Sequence, residues 1–203
     1  MLISDVGDVL VTTRPGAHHR ALAALTDRPV ADVAAVVEAA GIVAGFERGD
    51  LDGAAFAALL REVLAAPHLT DADLQAAWNA VLGTPVPPLV AAAAVLAARG
   101  QLAIASNTNP WHWPVARRRL AGAGLDVTSV PTVLSYRIGQ AKPEAGYFTI
   151  LLGHIAHLPS AVFVDDKHVN IDAARAHRLN GWIHTDVAAS VARIQVLAGT
   201  GRH

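Results

Sequence analysis

Four short polar clusters in this chain could do chemistry together: Asp5-Val6-Gly7-Asp8, Ser106-Asn107-Thr108-Asn109, Lys142-Pro143, and Asp165-Asp166 with Asn170 close behind. The adjacent carboxylates of Asp165 and Asp166 end a hydrophobic run, Ala161 to Val164, where two like charges repel unless a cation or donor stands beside them. The chain has no cysteine, which excludes a thiolate metal site, a cysteine nucleophile and a disulfide scaffold and leaves carboxylate and imidazole as metal ligands. Of its 16 Lys+Arg residues only Lys142 and Lys167 are lysines. In a chain whose default cation is arginine, a compact, flexible ammonium at a Lys-Pro break reads as required rather than incidental. Lys167 reads as a solvent-facing lysine beside acidic neighbours.

Each cluster also has an ordinary reading. Asp5 could end a strand and open a turn, and Ser106-Asn107-Thr108 could cap a helix. The ten histidines, among them His18-His19 and His154 with His157, show no metal-binding spacing and read mostly as surface residues. Trp111 and Trp113 read as packing residues, His112 as a candidate near the mouth of a site, and Arg117-Arg118-Arg119 as a solvated helix face.

The elements that must position these groups follow from the apolar patterning. Leu2-Ile3 is a short buried strand leading into the acidic turn at Asp5. From Pro15 to Pro88 the spacing is helical: Val33, Val36, Val37 and Ala40 form one stripe, and Phe56, Leu59, Leu60, Val63 and Leu64 another. Phe46 to Asp52 reads as a turn with a fresh cap, and Asp71 to Leu82 as a third helix. Beyond Pro88 strand and helix alternate, with strands at Leu102 to Ala105, Pro131 to Leu134, Ala161 to Val164 and Trp182 to His184. The expected class is α/β, a Rossmann-like doubly wound parallel sheet with a small all-helical cap inserted after the first strand. The core spans 1–13 and 89–203 and the cap 14–88, with Gly199 to His203 a frayed tail. Ligands of such sheets bind beyond the carboxyl ends of the strands, where Asp5, Ser106, Asp165 and Asp166 lie.

The 203 residues carry a net charge of -1, with 53% hydrophobic and 16% charged residues. That is too apolar for a disordered chain and offers no global field for nucleic acid or an anionic membrane. The longest apolar run, Leu89 to Ala98, is about half of the roughly 20 residues that cross a bilayer. The N-terminus lacks a basic region followed by an apolar run, so the expectation is a soluble cytoplasmic protein. No oligomeric partner is read from the sequence.

In the order and spacing of all four motifs, and in the place of the helical insert, residues 1–185 resemble the haloacid dehalogenase-like (HAD-like) hydrolase superfamily. Within it the chain looks most like small sugar phosphatases related to alpha-D-glucose-1-phosphate phosphatase. These combine an Asp-x-Gly first motif, a Phe/His-Glu-x-Gly cap turn, Ser-Asn-Thr-Asn, Lys-Pro-Glu and a double aspartate. The resemblance implies an Mg2+-dependent hydrolase of small phosphate esters, with Asp5 as nucleophile forming an aspartyl-phosphate. It implies magnesium on Asp5, the Gly7 carbonyl and an aspartate of the 165–166 pair. Asp166 is favoured because Asn170 follows it at the family spacing, and Asp165 stands behind it or shares the role. Ser106 and the Asn107 backbone amide would hold phosphoryl oxygens, and Lys142 would neutralise both phosphoryl group and Asp5.

The typical superfamily phosphatase has a general acid/base aspartate two residues after the nucleophile, where this chain has Gly7. Loss of such a group costs about 10²–10⁴-fold in rate. Asp8 would point elsewhere in the family loop, leaving His112, His18 or His19 as substitutes. Two other functions fit the same fold: metal-free 2-haloacid dehalogenation, for which the Asp165-Asp166 pair has no use, and a non-catalytic binding module, for which Gly7 speaks.

Overall fold

In the computed structural model residues 1–155 and 161–199 are described. His157 and residues 200–203 of the expected tail lie outside them. In chain order the elements are β1 (Leu2–Ser4), β2 (Val11–Thr13), α1 (Ala17–Thr26), α2 (Val30–Ala40), α3 (Ile42–Arg48), α4 (Gly53–Leu64), α5 (Asp71–Asn79), β3 (Leu82–Pro85), α6 (Pro87–Ala97), β4 (Leu102–Ser106) and α7 (His112–Gly122). They continue with β5 (Thr132–Leu134), α8 (Ser135–Ile138), α9 (Ala145–Ile155), β6 (Val162–Asp165), α10 (His168–Ala176), β7 (Asn180–Ile183) and α11 (Val187–Leu197).

Five strands form a parallel sheet in the order β5-β4-β1-β6-β7. Successive side chains of a strand point to opposite faces, so a sheet with apolar residues at every position must be covered twice. Leu2, Leu102, Ile104 and Val164 pack on one face with Val90 and Leu96 of α6, Leu120 of α7 and Ile194 of α11. Ile3, Ala103, Ala105 and Phe163 pack on the other with Tyr147, Phe148 and Leu151 of α9 and Ile171 of α10. This is the doubly wound α/β arrangement that the alternating motifs predict.

Between β2 and β3 the described elements are helices, α1 to α5, which enclose a hydrophobic cluster of their own around Leu22, Val33, Val37, Phe56, Leu60 and Leu74. Ala40, placed in the α2 stripe by its spacing, is exposed. The Asp52 carboxylate caps α4 by accepting from the Ala55 N–H at 2.8 Å. The last strand runs Asn180–Ile183 rather than Trp182 to His184, and two boundaries in the helical segment also differ from the sequence expectation. Phe46 to Arg48 end helix α3 rather than opening a turn, and the helix expected to reach Leu82 stops at Asn79. Leu82–Pro85 instead pairs antiparallel with β2, so the chain enters and leaves the helical segment through one two-stranded ribbon. Pro87 and Pro88 open α6, where a missing N–H costs nothing. Among the described residues no helix is long and apolar enough to cross a membrane.

Candidate active site

The carboxyl ends of β1, β4 and β6 lie side by side, and the polar residues that follow each strand meet there. The Asp5 N–H donates to the Val164 carbonyl at 3.0 Å, fixing the start of the first loop against β6. Lys142 arrives from the loop between α8 and α9, and its ammonium is buried among three acceptors: the Ala105 carbonyl at 2.8 Å, Asp165 Oδ2 at 2.6 Å and Asp5 Oδ1 at 3.1 Å. Its backbone is clamped by Asn107, whose Oδ1 accepts from the Lys142 N–H and whose Nδ2 donates to the Lys142 carbonyl, both at 2.8 Å. The Asn107 side chain is therefore spent on positioning Lys142. Its backbone N–H donates to no described residue. Ser106, buried at the end of β4, lines the same cleft.

The two aspartates of the acidic pair are in different circumstances. Asp165 is wholly buried; besides Lys142 it accepts from the Lys167 N–H at 2.9 Å and from Asn170 Nδ2 at 2.8 Å. Asn170 thus partners Asp165, not the Asp166 with which sequence spacing associates it. Asp166 is half-buried and lines the cleft. One carboxylate oxygen each from Asp5, Asp165 and Asp166 lie within 4.8 Å of one another. Three carboxylates this close with one ammonium leave excess negative charge, and the electrostatics record it. Burial raises the Asp5 carboxyl to about 6, with Lys142 pulling it down and Asp165 pushing it up. Asp166 is raised by burial and then by Asp165. Burial works against the Lys142 charge, but Asp5 and Asp165 outweigh it and hold the ammonium above the usual lysine range.

The cleft has a volume of about 300 Å³, enough for a phosphate and a small organic group. Gly7 lines it, and a Cβ there would meet only Thr13 Cγ2, at 3.7 Å. Asp8, with φ of 51°, turns both oxygens to Thr13, accepting from its N–H at 2.7 Å and its Oγ1 at 2.6 Å. His112 also lines the cleft, yet both ring nitrogens are engaged. Asn109 Oδ1 accepts from the Trp111 and His112 N–H groups, so its Nδ2 donates to His112 Nδ1 at 2.9 Å, and His112 Nε2–H donates to the Trp78 carbonyl at 3.2 Å. Burial lowers this imidazole to about 4. His18 is lowered to about 4 by burial, its neighbours His19 and His112 adding to the effect, and neither His18 nor His19 lines the cleft. The histidines expected to replace the missing acid are thus neutral, engaged or elsewhere.

Trp111 packs among the α1–α5 cluster, with its ring centroid 5.2 Å from those of both Phe46 and Phe56, and Trp113 packs on the sheet side. Arg117 and Arg118 are exposed, but Arg119 donates to the Gly83 carbonyl and so ties α7 to β3. Lys167 is exposed and lines the rim. Glu47, to which sequence reasoning gave no role, lines the cleft from the end of α3. Its signal was its place in Phe46-Glu47-Arg48-Gly49.

No protein-family model matches the chain. Solved structures do. A HAD family enzyme of Bacteroides thetaiotaomicron superposes with a TM-score of 0.81 at 22% identity, over 91% of this chain and 92% of that one. This chain has the HAD fold. A second structure of that enzyme, in complex with magnesium and inorganic phosphate, matches at a TM-score of 0.77 and 22% identity, over 91% and 93% of the two chains. A predicted HAD-like family hydrolase of Porphyromonas gingivalis matches at 0.81 and 20% identity, over 95% and 96%. An L-2-haloacid dehalogenase is similar at a TM-score of 0.57 and 22% identity, over 90% and 82%.

Proposed function

We propose that this protein is a magnesium-dependent hydrolase of small phosphate monoesters, such as sugar phosphates, working through an aspartyl-phosphate. The observation that carries this reading is the buried Asp5–Lys142–Asp165 array beside Asp166, at the strand ends of a cleft sized for a phosphorylated metabolite. Phosphoryl transfer needs an aligned nucleophile and neutralised charge more than it needs elaborate covalent chemistry. Asp5 attacks phosphorus and the ester oxygen leaves; water then hydrolyses the acyl phosphate. Lys142, held at 3.1 Å from Asp5, aims the nucleophile and offsets phosphoryl charge. Ser106 and the Asn107 backbone amide bind phosphoryl oxygens.

The donor set suits a hard cation, being all oxygen and in charge excess. Asp5, Asp166 and the Gly7 carbonyl would hold magnesium, while Asp165, already accepting from Lys142, Asn170 and the Lys167 amide, keeps Lys142 in place. Magnesium, when bound, supplies charge neutralisation at the phosphoryl oxygens. The helices α1 to α5 act as a cap that selects the leaving group. The bound magnesium and phosphate of the Bacteroides enzyme support this reading by analogy of fold.

Initial rates with p-nitrophenyl phosphate test it. Turnover is expected with magnesium, is expected to vanish with a chelator, and is expected to fall on the order of 10⁴-fold or more in Asp5→Asn with the fold intact. Metal-independent halide release from a 2-haloacid would favour dehalogenation instead, and no turnover of any phosphate ester would favour a binding module.

A further inference from the structure

The cleft described above holds a nucleophile and positive charge but leaves the proton unassigned. The ester oxygen leaves as an alcohol only if something protonates it, and the water that follows must lose a proton. Gly7 offers no side chain, both oxygens of Asp8 are taken by Thr13, and both nitrogens of His112 are taken by Asn109 and the Trp78 carbonyl. Asp165 accepts three hydrogen bonds. Asp5 is the nucleophile and Asp166 is assigned to the metal, which leaves Glu47 among the acidic residues that line the cleft. Building on the phosphatase reading, we propose that Glu47 is its general acid and base, delivered from the helical cap.

The geometry ties Glu47 to the loop that carries Lys142. Arg48, its neighbour, pairs with Glu144, and Glu144 accepts from the Ala141 N–H at 3.2 Å, one residue before Lys142. At Gly49 φ is +80°, and a Cβ would collide with the Tyr136 carbonyl of α8, so the end of α3 lies against the core as only glycine allows. Between these anchors the Glu47 carboxyl is half-buried and accepts no hydrogen bond from a described residue. Burial raises it, and Lys167, on the rim, pulls it down. The other charges lining the cleft are Lys142, Asp5, Asp8 and Asp166.

In the first step Asp5 Oδ forms its bond to phosphorus while the bond from phosphorus to the ester oxygen breaks, and that oxygen takes the proton of Glu47. In the second, water adds to phosphorus and gives its proton to the Glu47 carboxylate. The acyl phosphate bond breaks, releasing phosphate and restoring Asp5 and protonated Glu47.

An acid matters for a poor leaving group and little for p-nitrophenolate, and kcat/KM reports the steps up to the first irreversible one, here leaving-group departure. We therefore compare kcat/KM for an alkyl phosphate, glucose 1-phosphate or a simpler alkyl ester that the wild type turns over, with that for p-nitrophenyl phosphate, magnesium present. In Glu47→Gln and Glu47→Ala the alkyl ester is expected to slow about 10²–10⁴-fold. The aryl ester is expected to stay within about threefold of wild type. An equal fall with both esters in both variants would show that Glu47 binds or supports the fold, and no fall would show that it is idle; either overturns the proposal. A wild type that cleaves neither ester would overturn the phosphatase reading itself, whereas cleavage of both with indifferent variants removes only Glu47.

Discussion

Lys142 is the residue on which the site turns, because its ammonium is the shared partner of two buried carboxylates. Removing one member of such an array leaves the other charges buried without compensation, which costs about 3–5 kcal/mol. Lys142→Ala should therefore lower the urea midpoint and abolish phosphate release, whereas Lys167→Ala, at an exposed rim position, should leave stability near wild type and reduce turnover far less. Equal losses would contradict the separation of their roles. Composition singles out both lysines in an arginine-rich chain, and the Lys-Pro break together with the acidic neighbours of Lys167 suggests the separation. The resemblance favoured Asp166 over Asp165 as the metal ligand, but on the spacing of Asn170, which the structure pairs with Asp165 instead. Both aspartates sit at the end of one strand, Asp165 as its last residue, and only the approach of Lys142 and Asn170 from other elements shows which is already saturated.

His112 acts between elements. It stands at the start of α7 and bonds the Trp78 carbonyl on α5, while Trp111 beside it packs into the α1–α5 cluster, so the helical segment is fastened to the core at this point. The neutral ring that this requires has a pH consequence. The folded value of about 4 lies below the ordinary 6.5, so between them the unfolded chain binds more protons. Stability from His112 is complete above pH 6.5 and is lost as pH falls toward 4. Denaturant unfolding across this range should show a decline that is shallower in His112→Gln; an unchanged slope would contradict the buried neutral ring. None of this could be read from Trp111-His112-Trp113 alone, because the partner carbonyl is 34 residues away. Strand β3 was hidden for the same reason: Leu-Gly-Thr-Pro has little strand character and becomes a strand only against β2. The strands β1, β4 and β6, by contrast, announce themselves as short apolar runs each ending in a polar cluster.

At the scale of the molecule, a chain with a net charge of only -1 gathers three carboxylates, Asp5, Asp165 and Asp166, at one edge of its sheet. The doubly wound sheet does this through topology: β1 sits between β4 and β6, so residues far apart in sequence reach one edge without any loop having to be long. Asp5, Ser106 and Asp165 were legible as that edge. Glu47 was not, since its approach depends on how α3 seats against Tyr136 and Glu144. The most direct measurement is mass spectrometry of the protein quenched in acid during turnover of a phosphate ester with magnesium. A phosphoryl group on Asp5, lost in Asp5→Asn, is the predicted result; phosphate release with no covalent adduct, or an adduct on another residue, would contradict it.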